Sequence, residues 1–204
     1  MTDTDRVRAF STDIRMLQLA PPEALAPLRQ AILDEQEQHP GLSASQVGGW
    51  HSVPDLAQRS SGPFRPLIES IVQAVSVELQ HKAAAHGQPL PPHSWAVQAW
   101  ATVLQPGGYN RVHDHVRSHW SVAFYVDAGD PASPLGGMLS FVDPRRSAIH
   151  IPGLDIDPVT LDVRPQTGML VIFPGYLQHM VHPYDGTRPR VVVSANLSVR
   201  PAMP

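Results

Sequence analysis

No cysteine occurs in the 204 residues. That absence excludes disulfides, thiolate metal ligands and cysteine nucleophiles. Long hydrophobic runs are missing too: none approaches the roughly 18 residues that a membrane-spanning helix needs. The opening MTDTDRVRAF lacks the apolar stretch of a secretory signal. Basic charge is scarce, with 15 Lys and Arg against 18 Asp and Glu and a formal net charge of −3. A field that would attract nucleic acid is therefore not expected. A cytoplasmic protein with neither a membrane nor a nucleic-acid partner is the expectation.

What is present is a globular composition, 42 % apolar and 16 % charged. The length suits one domain over 1–204 with a real core. Proline is abundant at 22 residues, which predicts many turns and short elements. Histidine is abundant at 11 residues. A His-rich chain without cysteine leans toward metals that accept imidazole and carboxylate, such as Fe(II), Mn or Zn.

The pattern divides the chain. Residues 10–19 read as a first strand. PPEALAPLRQAILDEQEQHPG places Leu25, Leu28, Ile32 and Leu33 at helical spacing, and Gly41 suits a stop. SASQVGGWHSVPDL (43–56) reads as a loop from its Gly, Ser and Pro. A longer helix spans 64–87, with Leu67, Ile68, Ile71, Val75 and Leu79 as its apolar stripe. Residues 1–93 are thus mainly helical. From residue 94 the period becomes two. Strands are expected at 95–104, 111–115, 119–127, 138–142, 159–164, 168–173, 178–182 and 190–199, punctuated by Gly, Pro and Asp. The fold class is α+β, with the 94–204 half a β-sandwich or barrel.

YNRVHDHVRSHW holds His113, His115 and His119. Residues i and i+2 of a strand share a face, so His113 and His115 converge while Asp114 points away. Two imidazoles on one strand need a third ligand. GMLVIFPGYLQHMVHP offers His179, with His182 on the opposite strand face. Eleven residues beyond His179, Arg190 enters the apolar run RVVVSANLSV, where a guanidinium is costly unless a carboxylate meets it. The joint pattern points to a metal held by His113, His115 and His179, beside a seat for an acidic cosubstrate at Arg190. His39, His81, His86 and His93 read as surface or helix-end residues, and His51 and His150 stay open. Trp100, Trp120 and Tyr109 are candidates to line a substrate pocket, with core packing the competing role for Trp100. Arg145 and Arg146 suit a solvated turn better than a contact to substrate.

Five segments carry a family resemblance: SASQVGGWHSVPDL, WATVLQPGGYNRVHDHVRSHWSVAFYVD, GGMLSFVDPR, TGMLVIFPGYLQHMVHP and RPRVVVSAN, together covering 43–196. The chain resembles the Fe(II)- and 2-oxoglutarate-dependent dioxygenase superfamily, and within it a family of small bacterial and phage 2OG-Fe(II) oxygenases. The resemblance implies a double-stranded β-helix (jelly-roll, cupin-like) core with N-terminal supporting helices. It implies Fe(II) as metal, 2-oxoglutarate as cosubstrate, O2 as oxidant and hydroxylation of a small-molecule or peptide-like substrate. Carried onto this chain, it makes His113 the first ligand, His179 the last and Arg190 the anchor of the distal carboxylate, with Tyr125 hydrogen-bonded to that same carboxylate. Two departures stand out. His115 occupies the usual carboxylate position, and Val192 stands where some relatives have Ser, with Ser194 two residues on.

Two other readings remain open at this level. A cupin-type three-His dioxygenase or isomerase fits the spacings Gly107 to His115 and Gly168 to His179, with His119 near the usual cupin Glu; it would not need 2-oxoglutarate or Arg190. A jelly roll that lost its carboxylate ligand would be a non-catalytic binding protein. The sequence leaves the oligomeric state open, a homodimer included.

Overall fold

The computed structural model describes residues 10–145 and 159–201. Its centre is a nine-stranded sheet with order β1-β7-β4-β9-β3-β8-β5-β6 and β2 on the outer side of β3. In chain order these are β1 (Arg15–Gln18), β2 (Gln46–His51), β3 (His93–His113), β4 (Trp120–Asp127), β5 (Leu139–Val142), β6 (Thr160–Val163), β7 (Met169–Pro174), β8 (His179–Val181) and β9 (Arg190–Pro201). Every strand pairing is antiparallel. Two helices, α1 (Ala26–Gln38) and α2 (Phe64–Ala85), lie on one face. The sheet curls upon itself as a jelly roll, the fold expected from the sequence.

Alternation along the strands decides what each face holds. On β9, Val191, Val193, Ala195 and Leu197 join the core under the helices, with Ile32, Ile71 and Val75 opposite them. The intervening Arg190, Val192 and Ser194 face the barrel interior. β4 and β7 behave likewise: Val122, Phe124, Leu170 and Ile172 face the helices, while Tyr125, Val171 and Phe173 fill the barrel. Burying each such side chain is worth about 1.5–3 kcal/mol, so a one-residue slip would be prohibitive. The register that the core fixes is therefore also the register that aims Arg190 inward. An ion pair ties the layers together, from Arg29 Nε on α1 to Asp127 Oδ2 at the end of β4, 2.8 Å.

Three sequence expectations need correction. The segment 43–56 is not simply a loop, because 46–51 forms β2 on β3. Glycine mimics turn composition here but serves close strand contact. A Cβ on Gly108 would stand 2.7 Å from the Gly48 carbonyl oxygen. For the same reason the expected strands 95–104 and 111–115 are one strand, β3. QPGG is an irregularity within it, with Gly107 at φ 84°, rather than a turn between two strands. Third, the strand ends at His113, so His115 lies just beyond it. Its N–H donates to the Gly175 carbonyl at 2.6 Å. The helices match expectation, except that Pro22–Leu25 is a 3-10 turn before α1.

Candidate active site

His113 and His179 meet because they are direct cross-strand partners on β3 and β8. His115 reaches them from the turn after β3. One ring nitrogen from each of the three lies within 4.8 Å of the others. Ring centroids are 4.3 Å apart for His113–His179, 5.1 Å for His113–His115 and 5.3 Å for His115–His179. Such a spacing is comparable to twice the roughly 2.0–2.1 Å of a metal–imidazole bond. Among the described residues no carboxylate belongs to the group. Asp114 lines outer grooves instead.

Hydrogen bonds set the tautomers. His113 Nδ1 lies 2.7 Å from the Arg111 carbonyl, and His179 Nδ1 lies 2.9 Å from the Leu177 carbonyl. Each Nδ1 therefore carries the proton, and each Nε2 presents a lone pair to the cluster. His115 has no such carbonyl. Its Nδ1 faces the Asn196 side-chain amide at 3.4 Å, and the Asn196 oxygen accepts from Ser121 Oγ at 3.0 Å. The O and N of an amide follow its network. Turning this amide over lets its oxygen accept from His115 Nδ1–H while its NH2 donates to Ser121. That orientation frees His115 Nε2 as well. Asn196→Ala is expected to weaken metal binding about tenfold with the fold intact, the usual consequence of losing a partner behind a ligand. Calorimetric Zn(II) titration checks it.

Burial, reinforced by mutual repulsion, keeps the imidazoles neutral. Burial lowers the His113 pKa, holds His115 at about 4 and holds His179 at about 3. Neutral imidazole is the form that ligates a cation. In the unfolded chain these groups titrate near 6.5, so below that pH the unfolded state binds more protons than the folded one. Stability then rises with pH across the window. The metal-free protein is expected to lose stability as pH falls from about 6.5 toward 4. Thermal melts at pH 7 and pH 5 read the effect, which His179→Ala should reduce.

Arg190 shares the inner cavity with the histidines. It is 3 % exposed, and its Nε has no hydrogen-bond partner. The guanidinium carbon sits 5.0 Å over the centre of the Tyr125 ring. Burial pushes the Arg190 pKa down and the Tyr125 pKa up, each partly offset by the other group. Val192 and Ser194 follow Arg190 along the same wall. A buried, incompletely partnered cation is expensive unless an anion is meant to meet it.

Other residues fall into place around this arrangement. Trp100 lines the cavity, stacked on His51 at 5.5 Å and 12°. Trp120 belongs to the core under the helices, edge-on to Trp95, and Tyr109 pairs with Val47 away from the cavity. His119 Nδ1 accepts from the Val199 N–H at 3.0 Å and stays out of the cluster. It is therefore not the extra ligand a cupin reading would want. His182 contacts Ser140 Oγ at 2.9 Å, on the far side from His179 as expected. Arg145 pairs with Asp143, while Arg146 and His150 lie outside the described residues. Sequence reasoning missed Asn196 and Tyr184. Counting by twos from Arg190 would have reached Asn196. Fully buried Tyr184 packs behind Gly137 next to Arg190, and its hydroxyl sits 2.8 Å from Asp130 Oδ1 and 2.6 Å from the Arg188 carbonyl.

Three imidazoles converging in a jelly roll form a group that could hold a metal ion, beside a buried arginine whose Nε has no partner. Residues 98–196 match the family model described as "Putative 2OG-Fe(II) oxygenase", a span that holds all three histidines, Tyr125 and Arg190. This match, just under half of the chain, together with the shared fold indicates a 2-oxoglutarate-dependent oxygenase, by class an oxidoreductase. No curated protein matches. Solved structures share the fold at low identity. A Pseudomonas putida prolyl-4-hydroxylase is 18 % identical, with 93 % of this chain and 94 % of that chain covered and a TM-score of 0.61. SnoK, a non-heme alpha ketoglutarate dependent carbocyclase from nogalamycin biosynthesis, is 12 % identical over 91 % of this chain and 79 % of its own, with a TM-score of 0.62. HygX from Streptomyces hygroscopicus, solved with nickel and 2-oxoglutarate bound, is 12 % identical over 94 % and 84 %, with a TM-score of 0.57. Fe(II) and 2-oxoglutarate are thus the family's cofactor and cosubstrate. The donor set fits both. Three neutral imidazoles suit Fe(II), and the orphaned Arg190 Nε suits a carboxylate. Among the described residues, no helix is long and apolar enough to cross a membrane.

Proposed function

We propose that this protein hydroxylates a small-molecule or peptide-like substrate, with Fe(II) held by His113, His115 and His179 and 2-oxoglutarate anchored by Arg190 and Tyr125. The observation that carries this reading is Arg190, a buried guanidinium whose Nε has no partner in the cavity that also contains the histidines. A cupin reading gives that arginine no task, and a non-catalytic binding role gives none to three imidazoles brought within 4.8 Å of one another.

When bound, iron and 2-oxoglutarate supply the oxidising power, turning O2 into an oxidant for a C–H bond as 2-oxoglutarate becomes succinate and CO2. The chain does the rest. Arg111 and Leu177 carbonyls hold two ligand rings in their tautomers, and the Asn196 amide, turned so that its oxygen accepts from Nδ1–H, holds the third. Arg190 donates to the distal carboxylate, and the Tyr125 hydroxyl adds a second donor. Because all three ligands are neutral, the site keeps more of the metal's positive charge than a site with a carboxylate would. It therefore relies more on its dianionic cosubstrate for charge balance. Phe141, Phe173 and Val181 close the wall behind His179 and exclude water there.

The test is succinate formation from 2-oxoglutarate under air with Fe(II) supplied. Metal-dependent succinate that disappears in the Arg190→Met variant is the expected result. Metal binding without 2-oxoglutarate consumption would favour the cupin-type alternative.

A further inference from the structure

The inward face of β9 does not end at the histidines. Past Ser194 it continues through Asn196 and Ser198 to Arg200, and these residues form the floor of a groove of about 510 Å³. Gln98 of β3 lies beside them, and His115 and Arg117 form the bank. His115 and Asn196 connect the groove to the metal cluster, since His115 lines both spaces. Arg190 and Arg200 stand at opposite ends of one strand, roughly 33 Å apart at about 3.3 Å per residue. The histidines lie between them.

The groove is built rather than incidental. Its bank is docked onto β9: Ser198 Oγ donates to the Arg117 carbonyl at 3.3 Å, and the His119 N–H donates to the Leu197 carbonyl at 3.1 Å. The Val199 N–H donates to His119 Nδ1, and the Ser118 N–H closes a turn on the His115 carbonyl. This brings two exposed arginines, Arg117 and Arg200, to the same opening. Arg15, Arg29, Arg59, Arg65 and Arg188 all face carboxylates. Among the described residues, Arg117 and Arg200, like Arg111 and Arg164 elsewhere, have no ion-pair partner, and only these two share the groove. Asp114 also lines the groove, one carboxylate against the two guanidinium groups, so the charge of the lining stays positive. Gln98, Asn196 and Ser198 offer amides and a hydroxyl, while Ala96, Val97 and Val116 add small apolar surface, so the lining suits a ligand with both polar groups and a short carbon skeleton.

Building on the oxygenase reading, we propose that this groove is the substrate site and that the substrate is a small molecule bearing an anionic group, carboxylate or phosphate. Arg117 and Arg200 seat that group at the outer end, while Gln98 and Asn196 bond to its polar body. The carbon to be oxidised is thereby directed past His115 toward the metal. Arginine suits this task because its planar fork matches both oxyanions.

The test uses the full chain loaded with redox-inert Zn(II) and saturated with 2-oxoglutarate. Matched pairs of small carboxylic acids and their amides, together with alkyl phosphates, are screened by ligand-observed NMR. Acids or phosphates are expected to bind at least fivefold more tightly than neutral partners. Arg117→Gln and Arg200→Gln are each expected to remove about twofold of that preference, as suits exposed charge pairs. A carboxylate or a phosphate preference identifies the source of the anion. Equal binding of acids and amides, no bound anion at millimolar concentration, or an unchanged preference in both variants would overturn the proposal. Failure of wild-type protein to bind 2-oxoglutarate in the same samples would instead count against the oxygenase reading beneath it.

Discussion

Replacing Arg190 with methionine is expected to lower 2-oxoglutarate affinity by two orders of magnitude or more while making the ligand-free protein more stable. The two effects have opposite signs because one side chain causes both. Arg190 is 3 % exposed, its pKa is depressed by burial, and its Nε is unpaired. In the absence of an anion it is a desolvated charge without adequate compensation. An apolar residue of similar length removes that cost, and such swaps are commonly neutral or stabilising by about 1–4 kcal/mol. Losing a buried charged partner for a carboxylate costs about 2–5 kcal/mol of binding, and the full burial of Arg190 puts the expected loss at about 3 kcal/mol or more, two orders of magnitude. In wild type, 2-oxoglutarate should raise the melting temperature by mass action; in the variant the same concentration should raise it far less. Thermal melts of both proteins with and without metal and 2-oxoglutarate measure all of this. A variant less stable than wild type, with unchanged ligand response, would show that Arg190 is a structural residue.

The second large effect is at His179. Alanine there is expected to reduce metal affinity at least a hundredfold and to leave succinate formation undetectable. Removing a partner behind a ligand costs about 10–100-fold, and removing the ligand itself should exceed that. His179 is the most buried of the three and lies directly across the strands from His113. No other described histidine or carboxylate joins the group to replace it. Elemental analysis after dialysis, beside circular dichroism to confirm the fold, gives the comparison. His182→Ala is the control, because His182 contacts Ser140 away from the cluster and should leave metal content unchanged.

Much of this was legible in the sequence because period two governs both packing and aim. The register that buries Val191, Val193 and Ala195 against the helices leaves Arg190 no direction but inward. The histidines could be paired from their spacing, although the reason His115 converges differs from the one expected. It sits beyond the strand, tied by its N–H to Gly175. What stayed hidden were contacts between distant segments. β2 is invisible locally because its glycines, Gly48 close against Gly108 and Gly49 close against Leu104, have the composition of a loop. Asn196 reads as one polar residue in an apolar strand until its amide is seen against His115. Tyr184 gives no local sign that it backs Arg190. His51 could not be placed until Trp100 was found stacked upon it.

The most direct test of the account is an anaerobic titration of the metal-free protein with Fe(II), followed by 2-oxoglutarate, recorded in the visible range. One equivalent of iron should bind, and adding 2-oxoglutarate should then produce the weak charge-transfer absorption of a 2-oxo acid chelated to ferrous iron. Arg190→Met should need far more cosubstrate to reach it, and His179→Ala should not form it. Iron bound at full stoichiometry in His179→Ala, or no band in wild type at saturating 2-oxoglutarate, would contradict the assignment.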